Sequence, residues 1–207
     1  MHDLTDGMMI KPTAIHGVLI LEPKRFGDER GLFTEVYKAS ALAEAGFEKT
    51  FIQDNLARSG PRGVVRGMHM QTGAFAQDKL VRCSKGAIID AVVDVRPGSP
   101  TFGKSLAVEL SAANWLQLLV PAGLAHGYCT LEEDCEVQYK VSAPYAPDHE
   151  EGLVWSDPAL GIDWPVSPEA AVVNARDASW PTLAEWARGK GLSDAGTPLA
   201  SADLGAQ

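Results

Sequence analysis

Residues 79–96, KLVRCSKGAIIDAVVDVR, contain two apolar runs joined by a short polar segment with a glycine. Both runs have the length and the Val/Ile content of β-strands. Similar runs recur before residue 145, among them VLIL at 18–21, TFIQDNL at 50–56 and SLAVEL at 105–110. Roughly nine or ten such runs, with turn signals between them, predict an all-β fold, a sandwich or barrel of antiparallel strands.

Helical patterning is confined to short peripheral segments. KASALAEAGF at residues 38–47 is rich in alanine and ends near a glycine, and PTLAEWARGKG at 181–191 begins with proline and ends with glycine. These are start and stop signals of short helices. We expect residues 1–191 to form one domain, and residues 192–207, which are small, polar and turn-rich, to form a flexible C-terminal tail.

The composition argues against several partners and locations. The net charge of -9 on 207 residues repels nucleic acid and anionic membranes on average. No stretch approaches the ~18 to 20 apolar residues of a spanning helix. Cys83, Cys129 and Cys135 show no paired spacing, and the first residues lack the features of a signal peptide. These features predict a cytoplasmic protein with no nucleic-acid or membrane partner.

The segment GVVRGMHMQ at residues 63–71 puts charged and polar side chains into a strand pattern that otherwise looks buried. Strict alternation would place Arg66 and His69 on opposite faces, and a bulge near Gly67 would relax that separation. Inward polar groups are costly unless they are paired or hydrogen-bonded. Such residues therefore predict a lined cavity inside the fold.

A metal site is the first chemistry to test, because PAGLAH at residues 121–126 follows an earlier histidine strand, as in the metal-binding pattern of cupins. Here Gln71 occupies the place of the second histidine, and Gln77 stands near the place of a glutamate. Only His69 and His126 remain as good ligands, fewer than zinc or non-haem iron usually takes. We therefore expect no metal and no other cofactor.

A series of motifs carries a family resemblance. FGDERGLFTEVY, FIQDN, GVVRGMHMQ, DKLVRCSKGAIIDAVVDVRPGSPTFG, LVPAGLAHGY, YKVSAPYAPDHEEGLVWSDPALGIDWP and NARDASWP follow one another between about residues 10 and 185. In this order they resemble the dTDP-4-dehydrorhamnose 3,5-epimerases. The resemblance implies a cupin-like jelly roll, a double-stranded β-helix, that acts without a cofactor on a nucleotide-linked 4-keto-6-deoxy sugar. It also implies a homodimer with site residues shared across the interface.

The resemblance also implies roles for individual residues. His69 takes the position of the catalytic base, paired with Asp177, and Tyr139 takes that of the acid on the opposite face of the sugar. Lys79 matches the lysine beside the C4 carbonyl. Phe26, Arg30 and Glu35 match nucleotide-side positions that a neighbouring subunit contributes. The other implied substrate-binding residues are Gln53, Asn55, Arg66, His126, Tyr145 and Arg176.

These residue types suit the chemistry independently of the family. Removing a proton beside a ketone creates an enolate, which calls for a base near neutrality and a cation at the carbonyl oxygen. Histidine and Lys79 fit these two needs. A phenol can return a proton from the other side without a second buried charge; Tyr139 is the candidate, and Tyr145 is its competitor. Asp90 is a candidate to orient His69 or Lys79, and a role as an internal hydrogen-bonding support is an equal alternative.

We therefore expect epimerisation at C3, at C5 or at both, with dTDP-4-dehydro-6-deoxy-D-glucose converted to dTDP-4-dehydro-L-rhamnose. Two alternatives stay open from the sequence, a sugar nucleotide 3,4-ketoisomerase and a noncatalytic sugar-binding cupin. Met70, where the family commonly has an aromatic residue, and Pro144, in place of the first of two tyrosines, depart from the pattern near the expected sugar and base pocket.

Overall fold

The computed structural model describes residues 7–199 and shows thirteen β-strands and three short α-helices in that range. The strands are β1 Met8–Pro12, β2 Leu19–Pro23, β3 Arg25–Asp28, β4 Gly31–Thr34, β5 Gln53–Ser59, β6 Val65–Gln71, β7 Lys79–Lys85, β8 Ala87–Asp94, β9 Ser105–Ser111, β10 Gln117–Val120, β11 Leu124–Thr130, β12 Cys135–Val141 and β13 Glu150–Gly152. The helices are α1 Ala39–Glu44, α2 Ala175–Ala178 and α3 Leu183–Gly189.

Two antiparallel sheets form the body of the fold. The six-stranded sheet has the order β1-β2-β10-β7-β12-β5, and the five-stranded sheet has the order β13-β6-β11-β8-β9. Strands β3 and β4 form a separate hairpin. Strands that are consecutive in sequence repeatedly lie in different sheets, as in a jelly roll. The predicted all-β jelly roll is confirmed.

Strand β8 shows why its sequence reads as an almost continuous apolar run. Its residues Ile88 and Val92 face the core between the two sheets, whereas Ala91 and Val93 face a second core on the outside of the five-stranded sheet. Because both faces of the strand are buried, apolar residues occupy both parities of the alternation. Asp90 is the polar exception, and its side chain is fully buried.

The C-terminal segment covers the outer face of the five-stranded sheet. Trp155 and Leu183 pack in the second core, and Trp186 packs against it. Helix α3 begins with a capping box, in which Thr182 accepts from the backbone N–H of Glu185 and the carboxylate of Glu185 accepts from the N–H of Thr182. The predicted helix at 181–191 is therefore present and is anchored by an apolar face.

Helix α1 covers the outer face of the six-stranded sheet. Leu42 packs with Leu80 and Leu119 in a third core, and Phe47 and Phe51 stack on each other beside it. Apolar cores therefore cover the outer faces of both sheets. The predicted helix at 38–47 is confirmed as a shorter element.

The bulge expected near Gly67 is present. In the pairing of β11 with β6, His126 lies opposite His69 and Tyr128 lies opposite Arg66, so β6 carries one extra residue. Gly67 has a φ of +108°, and a β-carbon there would lie 2.5 Å from the backbone oxygen of His126. The extra residue turns both Arg66 and His69 toward the same cavity, which strict alternation forbids.

Three strands escaped the sequence pattern: β1, β3 and β13. The tail segment 192–199 folds back in the structure, since Leu192 pairs with Pro198 and Gly196 packs against the ring of Phe102. The division at residue 191 and the flexibility of the tail stay predictions, and residues 200–207 lie outside the described range. Within residues 7–199 no helix is both long and apolar enough to cross a membrane.

Candidate active site

A cavity of about 260 Å³ lies between the two sheets. Side chains of both sheets and of the C-terminal segment form its wall. The lining residues are Ala57, Arg66, His69, Met70, Gln71, Gln77, Lys79, His126, Tyr128, Val137, Tyr139, Tyr145, Glu150, Asn174, Arg176 and Asp177. All four predicted catalytic residues are among them, together with four of the nine predicted substrate-binding residues.

His69 and Tyr139 stand on opposite walls of the cavity. His69 belongs to β6 in the five-stranded sheet, and Tyr139 belongs to β12 in the six-stranded sheet. A planar carbon held between the sheets is therefore open to one residue from each face. This geometry allows a proton to leave from one side and another to arrive from the other.

The environment of His69 keeps its imidazole neutral. Burial, followed by the positive charge of Lys79 and the proximity of His126 and Arg176, lowers the pKa of His69 to about 3. A neutral imidazole has a free lone pair and can accept a proton. The surroundings of His69 thus hold it in the form required of a base.

Lys79, His126 and Asp90 form a buried chain. Nε2 of His126 donates to Oδ1 of Asp90 at 2.8 Å, since an ionised carboxylate can only accept. Nδ1 of the same ring then accepts from Nζ of Lys79 at 3.5 Å. Asp90 therefore orients His126, which fits the internal hydrogen-bonding role left open from the sequence and not a direct pairing with His69 or Lys79. Its charge acts on Lys79 only from behind the histidine.

The pKa of Lys79 lies only a little above neutral pH. Burial lowers the pKa of this lysine to about 8, and the negative charges of Asp90 and Glu150 oppose the decrease. The ammonium group is consequently present at neutral pH in a site where water is largely excluded. A cation in that position stabilises an oxyanion far more than it would in bulk water.

Asp177 is anchored beside the bulge. Its Oδ2 accepts from the backbone N–H of Gly67 at 3.0 Å, and its own N–H donates to Oδ1 of Asn174, the N-cap of α2. No hydrogen bond joins Asp177 to His69 among the described residues, and its Oδ1 is buried without a hydrogen-bond partner there. The structure places Asp177 in the same cavity as His69, and their direct pairing stays a prediction.

A second cluster joins Glu150, Tyr145 and Arg176 in the cavity wall. Oε2 of Glu150 accepts from the hydroxyl of Tyr145 at 3.0 Å and also from Nη1 of Arg176. This arrangement fixes two of the predicted substrate-binding residues. Sequence reasoning missed Glu150, because only the pairing of β13 with β6, which sets Glu150 opposite Gln71, brings it here.

Five predicted binding residues lie outside this cavity. Asn55 accepts from Gln53 at 2.8 Å on β5, and it lines a neighbouring groove that Tyr139 also reaches. Phe26 and Arg30 lie on the exposed β3–β4 hairpin, where Arg30 pairs with Asp28. Glu35 follows that hairpin.

The residues at the cupin metal position do not suit a metal ion. Oε1 of Gln71 accepts from the backbone N–H of Ala146 at 2.8 Å, and both ring nitrogens of His126 are engaged by Asp90 and Lys79. Within the described ranges, no group of three or more His, Cys, Asp or Glu side chains is arranged to hold a metal. His69 is the one histidine of the pair whose ring is left for other chemistry.

The two sheets and the cavity between them define a cupin-like jelly-roll protein with an acid–base site. The family model described as dTDP-4-dehydrorhamnose 3,5-epimerase matches residues 12–185. The chain therefore belongs to the dTDP-4-dehydrorhamnose 3,5-epimerase family, and it is an isomerase of the epimerase type.

Individual relatives agree with this assignment. The chain is 46% identical over 180 residues to a dTDP-4-dehydrorhamnose 3,5-epimerase of Sinorhizobium fredii, covering 87% of this chain and 92% of the relative. A dTDP-6-deoxy-D-glucose-3,5-epimerase of Legionella pneumophila, solved in complex with dTDP-4-keto-L-rhamnose, superimposes with a TM-score of 0.83 at 39% identity, covering 90% of this chain and 97% of that one. A 3'-monoepimerase of Streptomyces bikiniensis, solved with dTDP-quinovose, gives 0.81 at 36% identity, with coverage of 88% and 91%.

Proposed function

We propose that this chain epimerises a dTDP-linked 4-keto-6-deoxy sugar at C3 and C5 and converts dTDP-4-dehydro-6-deoxy-D-glucose to dTDP-4-dehydro-L-rhamnose for deoxysugar biosynthesis. The observation that carries the proposal is the position of His69 and Tyr139 on opposite sheets of one cavity, with Lys79 in its wall on the strand next to that of Tyr139. The ligands bound in the similar structures from Legionella and Streptomyces, dTDP-4-keto-L-rhamnose and dTDP-quinovose, are both dTDP-linked sugars.

The first step is removal of the proton on the carbon beside the ketone by His69. The electron pair of that C–H bond moves to the carbonyl oxygen and forms an enolate, which the ammonium group of Lys79 stabilises. The two phosphates of the substrate bring negative charge toward Arg176, one of the groups that depress the pKa of His69. Bound substrate therefore raises the pKa of His69 from its low value and makes it a stronger base.

The second step is protonation of the same carbon by Tyr139 from the opposite wall. The enolate collapses to the ketone, a new C–H bond forms on the other face, and a phenolate remains on Tyr139. The sugar keeps its oxidation level throughout, so the reaction consumes no redox equivalent. The histidine and the tyrosine then return to their starting protonation states by exchange with solvent.

A dimer would complete the nucleotide end of the site. The β3–β4 hairpin exposes Phe26, Leu32 and Phe33, with relative exposures of 45%, 51% and 66%. Exposed apolar groups of this size on a hairpin favour contact with another chain. In a homodimer the hairpin of the partner brings its Phe26, Arg30 and Glu35 toward the nucleotide, while Arg66 and Arg176 hold the diphosphate by charge-assisted hydrogen bonds.

We place this activity in the cytoplasm. Cys83, Cys129 and Cys135 are free and buried, which fits a reducing compartment. In this proposal the nucleotide-sugar substrate also belongs to cytoplasmic metabolism.

A narrower reaction is the second candidate, because a 3'-monoepimerase is among the similar structures. Inversion at one carbon uses the same base and acid. The difference lies in whether the sugar turns in the cavity after the first inversion and presents the second carbon to His69.

Product NMR in deuterated water tests both candidates. The chain is incubated with dTDP-4-keto-6-deoxyglucose, and deuterium is located in the product. We expect incorporation with inversion at both C3 and C5, and no incorporation with His69→Ala. His16→Ala, which replaces an exposed histidine, is the matched control and should behave as the wild type. Deuterium at C3 alone indicates the monoepimerase, a carbonyl moved to C3 indicates a ketoisomerase, and binding without exchange indicates a noncatalytic cupin.

A further inference from the structure

Tyr128 is a second phenol in the cavity that neither step of the proposed reaction uses. It lies on β11, two residues beyond His126 and therefore on the same face of the strand. Its side chain lines the cavity although the residue is only 5% exposed. Its hydroxyl has no partner at full hydrogen-bonding geometry within the described part of the chain, and the hydroxyl of Ser59 is the side-chain group beside it that favours the phenolate. Such orphaned buried hydroxyls are rare in folded proteins and call for an explanation.

The surroundings of Tyr128 keep its hydroxyl protonated. Burial raises the pKa of this phenol to about 12, while the charge of Arg66, which lies opposite it in β6, opposes the increase. Ser59 also lies beside it, and Nε of Arg66 donates to the Ser59 hydroxyl at 3.3 Å. Asp90 and Tyr139 are the remaining titratable groups that act on it. Tyr128 is therefore a neutral donor at any pH at which the protein works.

Tyr139 lies beside the same arginine, and the negative charge left on its oxygen after proton transfer needs stabilisation. Burial raises its pKa, and Arg66 is the group that opposes the increase. When Tyr139 gives its proton to carbon, a phenolate is left in a partly buried site. A charged oxygen there needs hydrogen-bond donors in place of the water it lacks.

We propose that Tyr128 is a positioning residue for the protonation step, whose hydroxyl donates a hydrogen bond to the phenolate that forms on Tyr139. This inference rests on the proposed epimerase function. The Tyr128 hydroxyl and the negative charge that forms on Tyr139 lie in one cavity, and Arg66 acts on both residues. Before the reaction the Tyr128 hydroxyl has no acceptor at full hydrogen-bonding geometry among the described residues, and it donates its hydrogen bond when Tyr139 becomes a phenolate.

The role has a signature that a purely structural role lacks. Proton removal by His69 does not depend on the phenolate, so exchange at carbon with retained configuration continues when Tyr128 cannot donate. Delivery from Tyr139 becomes slower. The ratio of inverted product to deuterated, uninverted substrate therefore falls, and this ratio is independent of how much protein is folded.

The test is Tyr128→Phe in deuterated water with dTDP-4-keto-6-deoxyglucose, followed by NMR of both sugar pools. We expect the ratio of inversion to exchange to fall about ten-fold, in keeping with the loss of a hydrogen bond to a charged group. Tyr37→Phe is the matched control. Tyr37 packs against Phe51 by the third core, outside the cavity, and its ratio should equal that of the wild type.

A ratio unchanged by Tyr128→Phe overturns the inference, as does a proportional loss of both processes, which marks a structural role beside Ser59. If the variant does not fold, a difluorotyrosine placed at residue 128 keeps the ring and the hydroxyl and strengthens the donor. The ratio should then rise, and an unchanged ratio again overturns the inference. Absence of exchange and inversion in the wild type would instead contradict the proposed function itself.

Discussion

Asp90 accepts from Nε2 of His126 at 2.8 Å, and the carboxylate is completely buried. This bond fixes which ring nitrogen of His126 carries the proton and leaves the other to face Lys79 at 3.5 Å. The negative charge of Asp90 is thereby placed where it acts on the lysine without contacting it. The protonation of Lys79, and with it the enolate stabilisation that we propose for this residue, is favoured by this arrangement.

The pH dependence of activity should report Lys79. Its pKa is lowered to about 8, so the ammonium is present below that pH and is lost as the pH rises through it. We expect kcat/KM to fall above about pH 8. Asp90→Asn removes a charge that raises the pKa of Lys79, so the decrease in kcat/KM should begin at lower pH. Asp134→Asn, which alters an exposed partner of Arg58, serves as the control. Superimposable profiles for Asp90→Asn and the wild type would refute the assignment.

The stability of the empty protein should depend on His69. Its folded-state pKa of about 3 lies below the ordinary histidine pKa of 6.5, so the unfolded chain binds more protons between these values. The free energy of unfolding is then fully retained above about pH 6.5 and decreases as the pH falls toward 3. His69→Gln should flatten this slope by at most about 1.4 kcal/mol per pH unit. Urea unfolding from pH 4 to 7 measures it, with His16→Gln as the surface control; equal slopes for His69→Gln and the wild type would contradict it.

The bulge should tolerate no side chain at residue 67. Gly67→Ala puts a β-carbon 2.5 Å from the oxygen of His126 and 2.6 Å from the α-carbon of Gly127, at a φ of +108°. We expect a loss of at least about 2 kcal/mol in the free energy of unfolding. Gly189→Ala, where nothing lies within 4 Å of the added carbon, should change stability little. Urea unfolding of both variants decides, and equal midpoints would show that the strands separate freely at this point.

Complementation between two inactive variants tests the shared site of the proposed dimer. His69→Ala and Arg30→Ala are each expected to be nearly inactive. In a mixed dimer, one site combines an intact His69 with an intact Arg30 from the partner. Statistical mixing should therefore restore about a quarter of the wild-type activity. Mixed His69→Ala and His69→Gln preparations are the control, since no dimer of these two variants contains an intact His69 and no activity should return. Failure to restore any activity, with dimers present by sedimentation, would show that each chain builds its own site.

Much of the fold was predictable because β8 and its neighbouring strands contain apolar runs that are typical of buried β-strands. The candidate site was predictable where residues sit on such runs, as His69, Lys79 and Tyr139 do. The sequence also made Asp90 a candidate to orient a residue of the site. It did not identify His126 as its partner, because that choice depends on the register between β8 and β11, where Asp90 faces Tyr128 and not His126.

Other parts of the site left no local signal. Glu150 lies on a three-residue strand and reaches the cavity only by pairing with β6. Tyr128 follows His126 by two positions, and that spacing is the signal by which it could have been found. The strands β1 and β3 were missed because MMIKP and RFGD are short and carry little alternation.

The engagement of both ring nitrogens of His126 bears on redesign of this scaffold as a metalloprotein. Replacing Gln71 by histidine would restore the histidine spacing of a metal-binding cupin. His126 would still have no free lone pair for the metal, because both of its ring nitrogens are engaged by Asp90 and Lys79. Asp90 and Lys79 would have to be changed as well, and the loop that Gln71 holds at Ala146 would lose its anchor. The difference between this protein and a metal-binding cupin therefore lies also in the residues that hydrogen-bond to the side chains at the ligand positions.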